Sequence, residues 1–168
     1  MGESLGASVI FGAAGGILEA VLRTAYETTT GKKLGKVELD VLRGFSKGIK
    51  EAVINLGGID VKVASANELK NTRKLLEDIR AGKSEYHLIE ITACPGGCIA
   101  GGGQPYHFAD EEVLNKRREV LYNEDKNNPV RRSHENPEII KLYEDFLGEP
   151  GSEKAYKLIH TKYVKRST

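Results

Sequence analysis

Between Glu90 and Pro105 the chain reads EITACPGGCIAGGGQP, a glycine-rich turn that holds its two cysteines directly after a run of strand-forming residues. No other stretch restricts the fold so tightly. Pro95 fixes one backbone angle, while Gly96 and Gly97 permit conformations and close approaches that any side chain would block. Cys94 and Cys98, separated by Pro-Gly-Gly, can face the same small object if the turn is tight. The preceding YHLIEIT, Tyr86 to Thr92, has the Ile, Leu and Tyr content of an interior strand. The cysteines therefore fall at the carboxyl end of a strand, where open α/β sheets place their ligands.

Successive N–H groups exposed by such a turn form an anion-accepting nest, and an iron-sulfur cluster held by thiolates is an anionic object that responds to those hydrogen bonds. A structural zinc ion fits less well, because it takes four N or S ligands and His87 and His107 would have to complete the set. A catalytic dithiol pair has two intervening residues and a thioredoxin-like setting. The glycines also resemble a phosphate cradle, but GCIAGGG has neither the dinucleotide fingerprint nor the lysine of a P-loop. His87 is expected as a hydrogen-bonded core imidazole. His107, His134 and His160 fall in loop or tail contexts and read as surface or docking residues.

The flanking sequence predicts an α/β scaffold: a small twisted, largely parallel sheet flanked by helices. Along GILEAVLRTAYETTTG, residues Ile17, Ala20, Val21, Thr24 and Ala25 share one helical face, predicted to be buried, and Gly31 is the stop. VELDVLRG reads as a strand, and EAVINLGGIDVKVAS as two strands turning at Gly57-Gly58. Ser65 and Glu68 have capping-box spacing before a helix that keeps Leu69, Thr72, Leu76 and Ile79 in phase until Gly82. Beyond Pro105 the charge density rises, and three helical tracts follow. These predict a division into residues 1–108, the α/β body, and 109–168, a helical C-terminal wrap.

At 168 residues one sizeable core is the expectation. Lys and Arg number 25 against 24 Asp and Glu, so no broad basic field exists to hold nucleic acid or an acidic membrane. Arg117, Arg118, Arg131 and Arg132 interleave with Glu111, Glu112, Glu119, Glu124 and Asp125, which predicts a solvated or ion-paired face. No secretory pattern and no apolar run near 20 residues is present, and the expected location is the cytoplasm.

ACPGGCIAGGGQP resembles the third signature motif of the diiron (FeFe) hydrogenases, and GASVIFGAAGGILEAVLRTAYE, VLRGFSKGIKEA, RREVLYNED, RRSHENPEIIKLY and FLGEPGSEKAYKLIHTKY resemble the same family in the same order. The resemblance implies the second lobe of the iron hydrogenase fold, and an activity that interconverts dihydrogen with protons and electrons. It implies an H-cluster, a 4Fe-4S cubane joined through a cysteine sulfur to a diiron subcluster with carbon monoxide and cyanide. Cys94 would ligate the cubane and Cys98 would bridge to the diiron unit. Pro95, Gly96 and Gly97 would supply the backbone of the cluster loop, and Phe11 and Gly12 would lie beside the diiron site. Thr92 departs from the family, which has methionine there, and exchanges a polarizable thioether for a smaller polar group.

The family's remaining two cysteines belong to its first and second motifs, which these residues do not contain. The implied partner is therefore the N-terminal lobe, in cis or on another chain, with a ferredoxin or flavoprotein as electron partner of the whole enzyme. An apolar patch around Phe11, Thr92 and the cysteine loop would favour that docking or self-association. An alternative implied role is a non-catalytic iron-sulfur, sensory or docking module that retains the lobe.

Overall fold

The structure, a computed structural model, describes residues 4–35, 39–43 and 48–164. They divide into a body, residues 4–133, and a tail from residue 134 onward.

The body opens with a short helix, α1 (Gly6–Val9), which tightens into a 3-10 turn at Ile10–Gly12 before α2 (Gly16–Thr30) begins. Gly31, left-handed at φ 65°, ends α2 as predicted. Next come β1 (Ile49–Leu56), β2 (Ile59–Asn67), α3 (Leu69–Arg80) and β3 (Leu88–Thr92). β1 and β2 form an antiparallel hairpin across Gly57 and Gly58, both at positive φ, the backbone such a two-residue turn needs. β2 and β3 are parallel, joined through α3, and the order is β1-β2-β3. The α/β class is as predicted, but the sheet is mixed, with one antiparallel and one parallel pair.

β2 is the central strand, and Val63 to Asn67 are buried on both faces. On one face Val63 packs with Leu18 and Leu22 of α2 and with Leu42; on the other, Ala64 and Ala66 pack with Leu75 of α3. Each buried leucine contributes about 1.5–3 kcal/mol relative to exposure. The strand predicted over VELDVLRG lies partly outside the described residues. Its described centre, Asp40–Leu42, is a 3-10 turn that inserts Leu42 into the core. The capping box does not form: Ser65 is a buried residue of β2, and Glu68 precedes α3 at φ 70° with no side-chain cap. The central strand claimed the serine.

The face predicted for α2 is also corrected. Ile17 and Val21 are exposed, whereas Leu18 and Leu22 face the sheet and Glu19 and Arg23 are fully buried. Arg23 donates from both Nη atoms to Asp125 at 2.8 and 2.9 Å, and from Nη2 to Glu19 at 2.6 Å. Asp125 belongs to α4 (Glu111–Asn127), which packs on α1 within the body, so the predicted boundary at 108 falls inside it. Arg43 donates to both oxygens of Glu19, at 2.6 and 2.8 Å, and Arg131 to Asp125 at 2.7 Å. Burial would raise the Asp125 carboxyl, but the bonds from Arg23 and Arg131 outweigh it and hold the group below the ordinary aspartate value. The face predicted as solvated or ion-paired is ion-paired at Asp125 and Arg131, with the aspartate buried in this cluster. His87 is corrected too: it is exposed, although its Nδ1 accepts from the Lys62 N–H at 3.0 Å.

In the tail, α5 (Pro137–Leu142) is capped by Asn136, a π turn spans Tyr143–Leu147, and α6 (Glu153–Ile159) is capped by Ser152. Among the described residues no helix is long and apolar enough to cross a membrane.

Removing the Arg23 guanidinium leaves two buried carboxylates short of their shared donor. Arg23→Ala is expected to lower unfolding free energy by about 3–5 kcal/mol in urea titrations.

Candidate metal centre

β3 ends at Thr92, and the chain turns at once into the cysteine loop. Glu90, two residues earlier, is 7% exposed, and its side chain joins β3 to the start of α2. Its carboxylate accepts the N–H of Gly15 at 2.6 Å and that of Leu18 at 2.7 Å. These groups open α2 and have no intrahelical acceptor, so a carboxylate there satisfies them and complements the helix dipole. Burial pushes the Glu90 carboxyl above the ordinary glutamate value, against the pull of those N–H groups and of the Lys50 charge. Lys50 responds in the opposite sense: burial, with Arg118 nearby, brings its ammonium down to about 8 despite Glu90.

The loop is seated backbone against backbone. The Ala14 N–H donates to the Gly96 carbonyl at 2.9 Å, and Gly97 sits at φ 97°. A Cβ on Gly97 would lie 2.6 Å from the Ala14 nitrogen and 2.8 Å from the Gly12 oxygen. Gly96 and Gly97 are both buried, Pro95 and Cys94 are half-buried, and Cys98 is exposed at the start of a 3-10 turn, Cys98–Ala100. Both cysteines are free thiols. Beyond them, a Cβ on Gly101 would lie 3.4 Å from the Cys94 sulfur, so the chain passes close over that thiol.

Next to this turn Phe11 is 45% exposed beside Gly12; Ile17 and Val21 of α2 and Ile91 of β3 are exposed as well. Phe11 is thus not a core residue. Thr92 is half-buried and donates its hydroxyl to Asn67 Oδ1 at 2.6 Å, across paired positions of β2 and β3. Among the described residues no group of three or more His, Cys, Asp and Glu side chains is placed to hold a metal ion, so neither His87 nor His107 joins the cysteines. His107 Nδ1 is buried without a hydrogen-bond partner.

Two free thiols on a glycine cradle fit half of a four-thiolate cubane site and do not fit a closed structural zinc site. Sequence reasoning found the cysteine turn but missed Glu90. Its signal was a lone carboxylate at an inward position of an apolar strand, two residues before the turn.

This frame is a mixed α/β lobe that presents paired thiols on a backbone-seated turn. Residues 1–102 match the family described as iron only hydrogenase large subunit, C-terminal domain, and residues 111–166 match the iron hydrogenase small subunit. The chain belongs to the iron-only hydrogenase family. It is 52% identical over 99% of its length to the NADP-reducing hydrogenase subunit HndD of Solidesulfovibrio fructosivorans, covering 28% of that protein. It superposes on the FeFe-hydrogenase HydA1 of Chlamydomonas reinhardtii with a TM-score of 0.71 at 40% identity, over 92% of this chain and 45% of the other. It is also 30% identical to the cytosolic Fe-S cluster assembly factor narfl of Danio rerio, over 89% of this chain and 36% of that protein. The chain therefore spans 28% and 36% of these two curated relatives and less than half of the solved hydrogenase.

Gly97→Ala places a methyl group against the backbone of residues 12–14 at a positive φ, and is expected to cost at least about 2 kcal/mol in urea unfolding. Lys50 supplies a pH signature. Unfolded lysine titrates near ~10.4, so between about 8 and that value the unfolded chain holds the extra proton and stability rises with pH. Chemical denaturation of Lys50→Met across this window is expected to lack that rise.

Proposed function

We propose that this chain is part of an iron hydrogenase catalytic subunit and supplies two of its four cluster thiolates. Cys94 would hold the cubane and Cys98 would share its sulfur with the diiron unit. The cluster, when bound, supplies the redox chemistry that interconverts dihydrogen with protons and electrons. The observation that carries this reading is the seating of the CPGGC turn, with Gly97 filled by backbone from residues 12–14 while the Cys98 side of the loop stays open.

The chain's own residues would do three things. Glu90 and the Ala14 N–H hold the turn to α2, so the thiols keep one spacing. The backbone of Pro95, Gly96 and Gly97 excludes water from the inner side of the turn. Phe11, exposed beside Gly12 and next to the turn, would offer apolar surface to the lobe that bears the other two cysteines, in cis or on another chain. Electrons would enter from a ferredoxin or flavoprotein through that other part.

A second reading is a non-catalytic iron-sulfur module. It draws support from Thr92, whose hydroxyl is tied to Asn67 where the hydrogenases have a methionine, and from the likeness to a Fe-S assembly factor. The 52% identity to a hydrogenase subunit favours the first reading.

With two thiolates, four irons cannot be fully capped by this polypeptide. After anaerobic reconstitution, the chain alone is expected to evolve no hydrogen from a reduced dye. Hydrogen evolution by the chain alone would overturn the proposal.

A further inference from the structure

α4 is hydrogen-bonded to the cysteine loop through the side chain of Arg117. Arg117 is half-buried, and its guanidinium donates from Nη1 to the carbonyl of Ile99 at 2.8 Å and from Nη2 to the carbonyl of Pro105 at 2.6 Å. The two carbonyls bracket the run Ala100, Gly101, Gly102, Gly103 and Gln104. Little else holds that run. Gly102 and Gly103 have open space where a Cβ would stand, and the internal bonds are short-range ones, from Ala100 N to the Gly97 carbonyl, Gly101 N to Cys98, and Gln104 N to Gly101. Three successive glycines lose more conformational freedom on ordering than any other tripeptide, so such a segment needs an outside anchor. A planar fork with donors on two arms can span two carbonyls at once, whereas a lysine ammonium acts as a point charge.

We propose that Arg117 is the positioning residue of the cysteine loop. By fixing both ends of the glycine run, it keeps Gly101 close over the Cys94 sulfur and so sets how that thiol is presented. Arg117 lies in the stretch that matches the small subunit, while Cys94, Ile99 and Gly101 lie in the stretch that matches the large subunit. The clamp thereby makes the small-subunit-like segment a working part of the thiol site. Its consequence for a metal rests on the ligand roles proposed for Cys94 and Cys98; the clamp itself does not.

The test uses the whole chain, metal-free and reduced, as wild type, Arg117→Gln and Arg117→Lys. Amide hydrogen exchange is read at Ala100, Gly101 and Gln104, with Val63 to Ala66 of β2 as the internal reference. Alkylation by iodoacetamide is timed separately at Cys94 and Cys98. Losing two charge-assisted bonds is expected to speed loop exchange by roughly tenfold or more in Arg117→Gln, with the β2 amides changed far less. Alkylation of Cys94 is expected to accelerate several-fold, that of the already exposed Cys98 little. Arg117→Lys should fall between and, if Arg117→Gln does not fold, serves alone. Equal acceleration of loop and β2 amides would reduce Arg117 to a residue of general stability and overturn the proposal, as would unchanged loop exchange. Because no iron is present, failure here is separate from failure of the ligand assignment, which iron binding decides.

Discussion

The cysteine turn can exist in this form only because position 97 carries no side chain. Its backbone lies against the backbone of residues 12–14, with the Gly96 carbonyl held by the Ala14 N–H, leaving no space for even a methyl group. That contact joins the two ends of the body, the entry to α2 and the exit from β3. Glu90 doubles the joint by accepting two N–H groups of the α2 start. A loop built this way has its stiffness from main chain and buried carboxylate, not from the thiols it presents.

The same body is also secured by charge. Glu19, Arg23 and Asp125 have no exposed surface, and Arg43 and Arg131 close the cluster. Burial of such groups is unfavourable unless every partner is present, so the cluster tolerates only one way of docking α4 on α1 and α2. Gly6 shows how close that docking is, since a Cβ there would overlap the Asp125 side chain. Once α4 is fixed, Arg117 is delivered to the glycine run. Packing beyond the cysteine turn itself therefore bears on how the thiols are held.

Much of this was legible in the residues. The hairpin at Gly57-Gly58, the stop at Gly31, the helix before Gly82 and the strand leading into Cys94 all follow from turn chemistry and local pattern, and the CPGGC turn points to paired thiolates with no structure at hand. The reading of α2 failed because hydropathy treats a charge as a surface residue. It therefore placed Ile17 and Val21 inward, where Glu19 and Arg23 belong; the charged stretch read as solvated or ion-paired is ion-paired at Asp125 and Arg131, but with the aspartate buried. Ser65 was assigned to a cap because its spacing to Glu68 is local, while the pairing that puts it in β2 is not. Glu90, Lys50 and Arg117 owe their roles to partners many residues distant in sequence, which no window of sequence contains.

The central claim is that Cys94 and Cys98 are iron-sulfur ligands whose complement comes from outside these residues. The most direct measurement is anaerobic iron, sulfide and zinc analysis of this chain combined with a partner bearing the other two cysteine motifs, alongside the same pair carrying Cys94→Ser and Cys98→Ser. The account predicts iron and sulfide in equal amounts, at least about four irons per complex, falling sharply in the serine pair. Wild-type material that takes up no iron, takes up zinc instead, or holds iron equally well after both cysteines are replaced, would contradict it.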